Sequence, residues 1–201
     1  ANPKVLAIIR ENGLGADCIA AVTIGGKTQL MIVLPAETIG ITMATYCGQN
    51  LGAKKFDRIE KGVHRGVALA FGYAAIGFCV ARFLGPYLSL LFIDGSETEV
   101  IALAQQYINA GSYFYLILSL LFVLRNALQG LGYSFTAMLT GMFELVARGI
   151  MGFGFVNTIG YAAACIANPI AWIAADLFLI PAYIIVSRKV KRSLSSRISE
   201  E

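Results

Sequence analysis

VIALAQQYINAGSYFYLILSLLFVL, Val100 to Leu124, carries no Asp, Glu, Lys, Arg or His. A helix rises 1.5 Å per residue, so about 20 apolar residues cross the roughly 30 Å hydrocarbon core of a bilayer. A membrane-spanning strand would instead alternate apolar and polar residues over about ten positions. Leu116 to Leu124 does not alternate, and the stretch therefore reads as a transmembrane helix.

Four more stretches of that kind flank it. Thr28–Cys47 carries one charge, Glu37, and Val63–Leu84 has His64 and Arg65 at one end and Arg82 at the other. That second span stops at Gly85-Pro86, where Tyr87 to Ile93 adds a short interfacial turn. Ser134–Phe155 contains Glu144 and Arg148, and Tyr161–Val186 contains Asp176. The sequence thus predicts an all-α, polytopic helical membrane protein with about five transmembrane helices. Residues 1–12 read as the tail of a truncated helix and its loop, 13–187 as the bundle, and 188–201 as a basic cytoplasmic tail.

Composition excludes the soluble alternatives. Of the 201 residues 57% are hydrophobic and 14% charged, with a mean hydropathy of +0.70. Soluble domains carry about 25% charged residues, so this chain has too few to cover a surface in water. The apolar character recurs along the whole length rather than at one end, unlike a secretory signal. The start, Ala1-Asn2-Pro3-Lys4, has neither Met nor a basic leader and reads as a piece of something longer. The net charge of +4 is modest and its bases sit beside apolar spans, which argues for orientation in a bilayer and against nucleic acid. Cys18, Cys47, Cys79 and Cys165 are scattered without a C-x-x-C, so neither a metal site nor a disulfide framework is expected.

Charge in the loops orients the spans. Lys54, Lys55, Arg58, Lys61 and Arg65 lie between the first and second spans; Asp94, Glu97 and Glu99 lie between the second and third. Arg188, Lys189, Lys191, Arg192 and Arg197 follow the fifth. Cytoplasmic loops carry the Lys/Arg excess. The first loop and the C-terminus are expected inside and the acidic loop outside, an alternation consistent with five spans. Gly62, Gly66, Gly72 and Gly77 along the second span suit helices that approach closely.

An ionisable side chain at mid-membrane costs about 2.5–3.5 kcal/mol on insertion scales, so each deep charge needs a partner, a water-filled cavity or a function. Glu144 and Arg148, four apart, can pair on one helix face, either for mere neutrality or as a gated pair. Glu37 follows Pro35, which has no N–H to give the Met31 carbonyl. An oxygen-rich spot there could take Na⁺ or a proton, and the alternative is an ion pair to Arg125 or Arg148. Asp176 lies between Pro169 and Pro181 with Asn168 two turns earlier, forming either a pore-lining strip or a packing contact. Arg125 is expected to snorkel to the interface, and His64, the one histidine, to be solvated in its loop. Trp172 sits deeper than the tyrosines of the span ends and could stack on an aromatic cation. No nucleophile–base pair, phosphate loop or metal-ligand spacing stands out, so an enzyme is not expected.

Ala44-Thr45-Tyr46-Cys47-Gly48-Gln49-Asn50-Leu51-Gly52-Ala53, followed by Arg58, resembles the multidrug and toxic compound extrusion (MATE) family. That family's pattern runs an apolar helix into Gly-Gln-Asn-x-Gly-Ala and a basic loop. Arg125-Asn126-Ala127-Leu128-Gln129-Gly130-Leu131-Gly132, Glu144-Leu145-Val146-Ala147-Arg148 and Pro169-Ile170-Ala171-Trp172-Ile173 are similar to family segments in order and spacing. The resemblance implies two six-helix lobes around a cleft, which export organic cations or drugs in exchange for Na⁺ or H⁺. It makes this chain most of the C-terminal lobe, helices eight to twelve, with an N-terminal six-helix lobe as partner and a bacterial plasma membrane as host. The family's coupling acids lie on helices seven and ten; helix seven is expected to be mostly absent here and the third span, as helix ten, carries no acid, so that site is not carried over. Glu37 and Asp176 are therefore candidates on physical grounds, with Glu144, Arg148, Asn168 and Trp172 beside them. A lipid-linked oligosaccharide flippase would line its cleft with several bases, whereas the deep charges here are three acids and one Arg. A non-transporting scaffold subunit is the further alternative.

Overall fold

The computed structural model describes residues 15–198, and every regular element among them is helical. In chain order these are α1 (Ala16–Gly52), α2 (Phe56–Phe83), α3 (Gly85–Ser89), α4 (Thr98–Ser112), α5 (Tyr115–Gly130) and α6 (Ser134–Ile150). A π-helical turn (Met151–Phe155), α7 (Val156–Ile159) and α8 (Tyr161–Ile198) complete the chain. The tail expected at 1–12 lies outside the described residues. Four helical segments are long and apolar enough to cross a membrane, and α4 with α5 makes a fifth if that bent pair is one span.

The side chains are distributed for lipid. Leu69, Phe83, Phe135, Leu145, Phe153, Leu177 and Ile185 are 63–73% exposed, while Ala21, Ala70, Ala81, Ala104, Ala127, Ala171 and Ala175 are fully buried. Many large apolar groups point out, and small residues join Ile59, Ile108, Leu121, Leu128 and Leu179 inside. Hydrocarbon solvates Leu as well as a protein core does, so helix association in a membrane rests on close packing of small residues.

Four expectations are corrected. The span Val100–Leu124 is not one helix: α4 and α5 meet at Tyr113-Phe114 with a bend of 59°. The Gly111 carbonyl there accepts from Phe114 N at 3.0 Å, a tighter turn than the α ladder makes, and Ser112 Oγ donates to the Asn109 carbonyl at 2.8 Å. Hydropathy stays continuous through this break, which is why the sequence hides it. Conversely, Pro35 breaks nothing. α1 runs through it for 37 residues, and α8 runs unbroken through Pro169 and Pro181. Proline removes one N–H, a loss that neighbouring groups in a long packed membrane helix absorb. α8 also carries the helix on through the basic residues expected as a separate tail, and the fourth span ends later than expected, at Gly160 (φ +57°).

The chain divides into two compact units, to which each long helix contributes a part. One comprises Ala1–Leu34, Ala75–Tyr115 and Leu145–Ala171; the other Pro35–Ala74, Leu116–Glu144 and Trp172–Glu201. In the first, Ala21 and Ile24 of α1 pack with Val100 and Ala104 of α4, with Tyr161 against them. Gly25 keeps α1 close to α4: a Cβ there would lie 2.8 Å from Tyr107 Cδ1. Gln105 Nε2 donates to the Ala81 carbonyl at 2.9 Å, tying α4 to α2, and the Thr28 and Ser89 hydroxyls meet at 3.4 Å.

In the second unit α1 and α5 touch along matched four-residue repeats. A Cβ on Gly40 would stand 2.8 Å from the Phe122 carbonyl oxygen and 3.0 Å from Asn126 Nδ2. One on Gly48 would stand 3.4 Å from the Gly130 carbonyl oxygen, and one on Gly130 would collide with the Ala44 carbonyl. Gly40, Ala44 and Gly48 on α1 thus face Phe122, Asn126 and Gly130 on α5. On the other side of α1, Gly62 and Gly66 of α2 receive Tyr46 and Met43. Of the glycines singled out along the second span, Gly72 meets nothing among the described residues.

Candidate functional site

The motif Gly48-Gln49-Asn50-Leu51-Gly52-Ala53 is the end of α1. Lys55 N donates to the Asn50 carbonyl at 2.9 Å and Lys54 N to the Leu51 carbonyl at 3.0 Å, while Lys54 takes φ +57°. These are the six-to-one and five-to-two bonds of a Schellman cap, here with a lysine at the left-handed position where glycine is usual. Asn50 Nδ2 donates to the Tyr46 carbonyl at 2.8 Å, and Tyr46 Oη to the Arg58 carbonyl at 3.1 Å. The motif's chemistry is therefore architectural: Gly48 touches α5, and the following residues stop the helix and tie it to the start of α2.

The second unit holds a part-buried charged cluster. Arg125 of α5 reaches Glu144 Oε1 of α6, Nη1 to oxygen 3.4 Å, with the two side chains 30% and 11% exposed. The expected snorkelling of Arg125 gives way to this pair, and Arg125 also lies 5.9 Å from the centre of the Phe122 ring. Asp176 of α8 faces the same region. Its residue is 5% exposed, neither carboxylate oxygen has a hydrogen-bond partner among the described residues, and Glu144 is the charged group that acts on it. The Phe143–Phe178 ring stack, centroids 4.7 Å apart, holds α6 against α8 beside this pair. Trp172, one turn before Asp176, is buried at 5% exposure. Buried side chains at Ala137, Thr140, Glu144 and at Trp172, Ala175, Asp176, Leu179 mark the inward stripes of the two helices.

Glu37, in the same unit, is half-buried and makes no side-chain hydrogen bond or ion pair among the described residues. The pairing to Arg125 offered for it is taken by Glu144.

Arg148 and Asn168 meet in the first unit. Arg148 Nε donates to Asn168 Oδ1 at 2.9 Å, and Asn168 Nδ2 donates to Tyr107 Oη at 2.8 Å. This chain links α6, α8 and α4, and Tyr107 is 6% exposed. Tyr107 escaped the sequence reading, since a Tyr inside an apolar run carries no sign of its partner. At the other end of α8, Lys191 pairs with Glu60 at 3.7 Å and lies over the Phe56 ring, and Lys189 lies over Tyr133.

The membrane-spanning helices, with polar groups turned inward and large apolar groups outward, define an integral membrane protein of the polytopic helical class. The MatE family profile matches residues 6–153. The chain belongs to the MatE family, a family of membrane transporters. It is 24% identical over 110 residues to "Probable multidrug resistance protein YoeA" of Bacillus subtilis (strain 168), an alignment covering 55% of this chain and 24% of that protein. The chain thus spans about a quarter of that relative's length. No solved structure matches it significantly.

Proposed function

We propose that the chain forms most of the C-terminal lobe of a secondary transporter that exports organic cations or drugs in exchange for Na⁺ or H⁺, and that Asp176 receives the exchanged positive charge. One observation carries this reading: a carboxylate buried inside a membrane protein with both oxygens unpartnered among the described residues. An ionised group in that position needs a counter-charge. Arg125, in the same unit, is engaged by Glu144. A Na⁺ ion, a proton or a cationic substrate supplies what the side chains leave unmet. Organic cations suit a site of two carboxylates and one guanidinium better than the pyrophosphate headgroup of a flippase substrate does. The N-terminal six-helix lobe would close the cleft from the other side, in a bacterial plasma membrane with the basic 54–65 loop and the C-terminus cytoplasmic. This chain expressed alone would then insert without exporting.

Asp176→Asn in the full-length protein tests the assignment, since it keeps the shape and removes the charge. Cells carrying it are expected to hold normal protein levels and lose drug export by about tenfold or more, as losing one essential ionic contact implies. Undiminished export at normal abundance would remove Asp176 from the exchange.

A further inference from the structure

A groove of about 350 Å³ runs between the second part of α1 and the first turns of α2. Ile39, Met43 and Leu69 give it an apolar wall, and Tyr46 and Met43, seated on Gly62 and Gly66, close its floor. Arg65 lines it, exposed and without a hydrogen bond, ion pair or ring contact to any described residue. On α2 the positions Arg58, Gly62, Arg65 and Leu69 fall on one face at helical spacing. That face therefore runs from base to glycine to base to leucine along the helix axis. Arg65 stands nine residues after Phe56, about 13 Å along α2. Its long side chain can lie on the apolar wall and carry the guanidinium toward the helix start, where Lys54, Lys55, Arg58 and Lys61 cluster.

We propose that this groove binds an anionic phospholipid, its phosphate on Arg65 and an acyl chain along Ile39, Met43 and Leu69. Charge complementarity selects that occupant. The segment 54–65 carries five bases against Asp57 and Glu60, and Glu60 is already engaged by Lys191. An unpaired guanidinium at the mouth of an apolar slot between membrane helices matches a ligand with one anionic head and a hydrocarbon tail. A zwitterionic lipid offers the tail without the net charge, and a free phosphate offers the charge without the tail.

Native mass spectrometry of the delipidated full-length protein tests this, with phosphatidylglycerol and phosphatidylcholine of identical acyl chains. The unaltered protein is expected to retain phosphatidylglycerol about tenfold better, as a single charge-assisted contact allows. Arg65→Gln should bring the two lipids within about twofold, and Arg65→Lys should keep most of the preference. Thr42→Phe fills the groove without altering charge and should lower retention of both lipids. Lys55→Gln, outside the groove, should leave the preference intact. Loss in Lys55→Gln equal to that in Arg65→Gln would mean diffuse attraction and overturn the site. So would displacement of the lipid by glycerol phosphate at equal concentration, which would identify a free-anion site. A Thr42→Phe protein that keeps its lipids but stops exporting would assign the groove to the transported substrate instead.

Discussion

Gly130→Ala destabilises the protein by about 1–3 kcal/mol or more, the range for overpacking a tight interior contact, although it adds one methyl group. That methyl lands on the Ala44 carbonyl, a backbone group that cannot rotate aside as a side chain would. Relief requires α1 to move away from α5, which disturbs Gly40 against Phe122 and Asn126 as well. Gly72→Ala is the matched control, because no atom of the described residues lies within 4 Å of the added Cβ. There the change removes the glycine entropy cost in a helix and should stabilise by about 0.5–1 kcal/mol. Gly48→Ala should fall between, at the edge of ordinary contact. Thermal unfolding of the detergent-purified protein, read together with its monodispersity, ranks the three. Equal tolerance of Ala at 130 and 72 would mean that α1 and α5 do not approach as described.

Arg125→Leu lowers stability by about 1.5–3 kcal/mol, the scale for a hydrogen bond to a charged group; the pair is partly exposed, so the larger cost of a fully buried pair is not expected. The substitution withdraws a guanidinium from Glu144 and leaves two carboxylates, Glu144 and Asp176, on neighbouring helices. Pairing it with Glu144→Leu removes the like charge together with its counter-charge. Replacement of an ion pair by apolar residues of similar size is often neutral, so the double variant should regain most of the lost abundance and melting temperature. A double variant worse than Arg125→Leu alone would show that the two residues act separately.

Much of the fold is legible because a bilayer writes its constraint directly into the chain. The absence of charge between Val100 and Leu124 marks an apolar stretch long enough to span, and the Lys/Arg clusters mark the ends of its neighbours. What stays hidden are events within a run of apolar residues. The break at Tyr113-Phe114 changes hydrogen bonding without changing hydropathy, and Pro35, which looks disruptive, is absorbed by a long packed helix. The site is legible in its parts and not in its pairings. Glu144, Arg148, Asn168 and Asp176 stand out as polar residues in apolar company. That Arg125 comes to Glu144 depends on how two consecutive helices face each other, and that Tyr107 comes to Asn168 depends on helices whose contacting residues are 61 apart in sequence. The glycine-rich motif shows a third kind of gap: its residues are recognisable as a pattern, while their work, a helix stop and a backbone contact, emerges only from the hydrogen bonds and the approach to α5.

Efflux of a fluorescent organic cation from proteoliposomes containing the full-length protein tests the central claim most directly. An imposed inward gradient of Na⁺ or of H⁺, with no nucleotide present, is predicted to drive efflux in the unaltered protein and to fail in Asp176→Asn reconstituted at the same density. Efflux that responds to neither gradient, or that the Asp176→Asn protein sustains at the unaltered rate, would contradict the account.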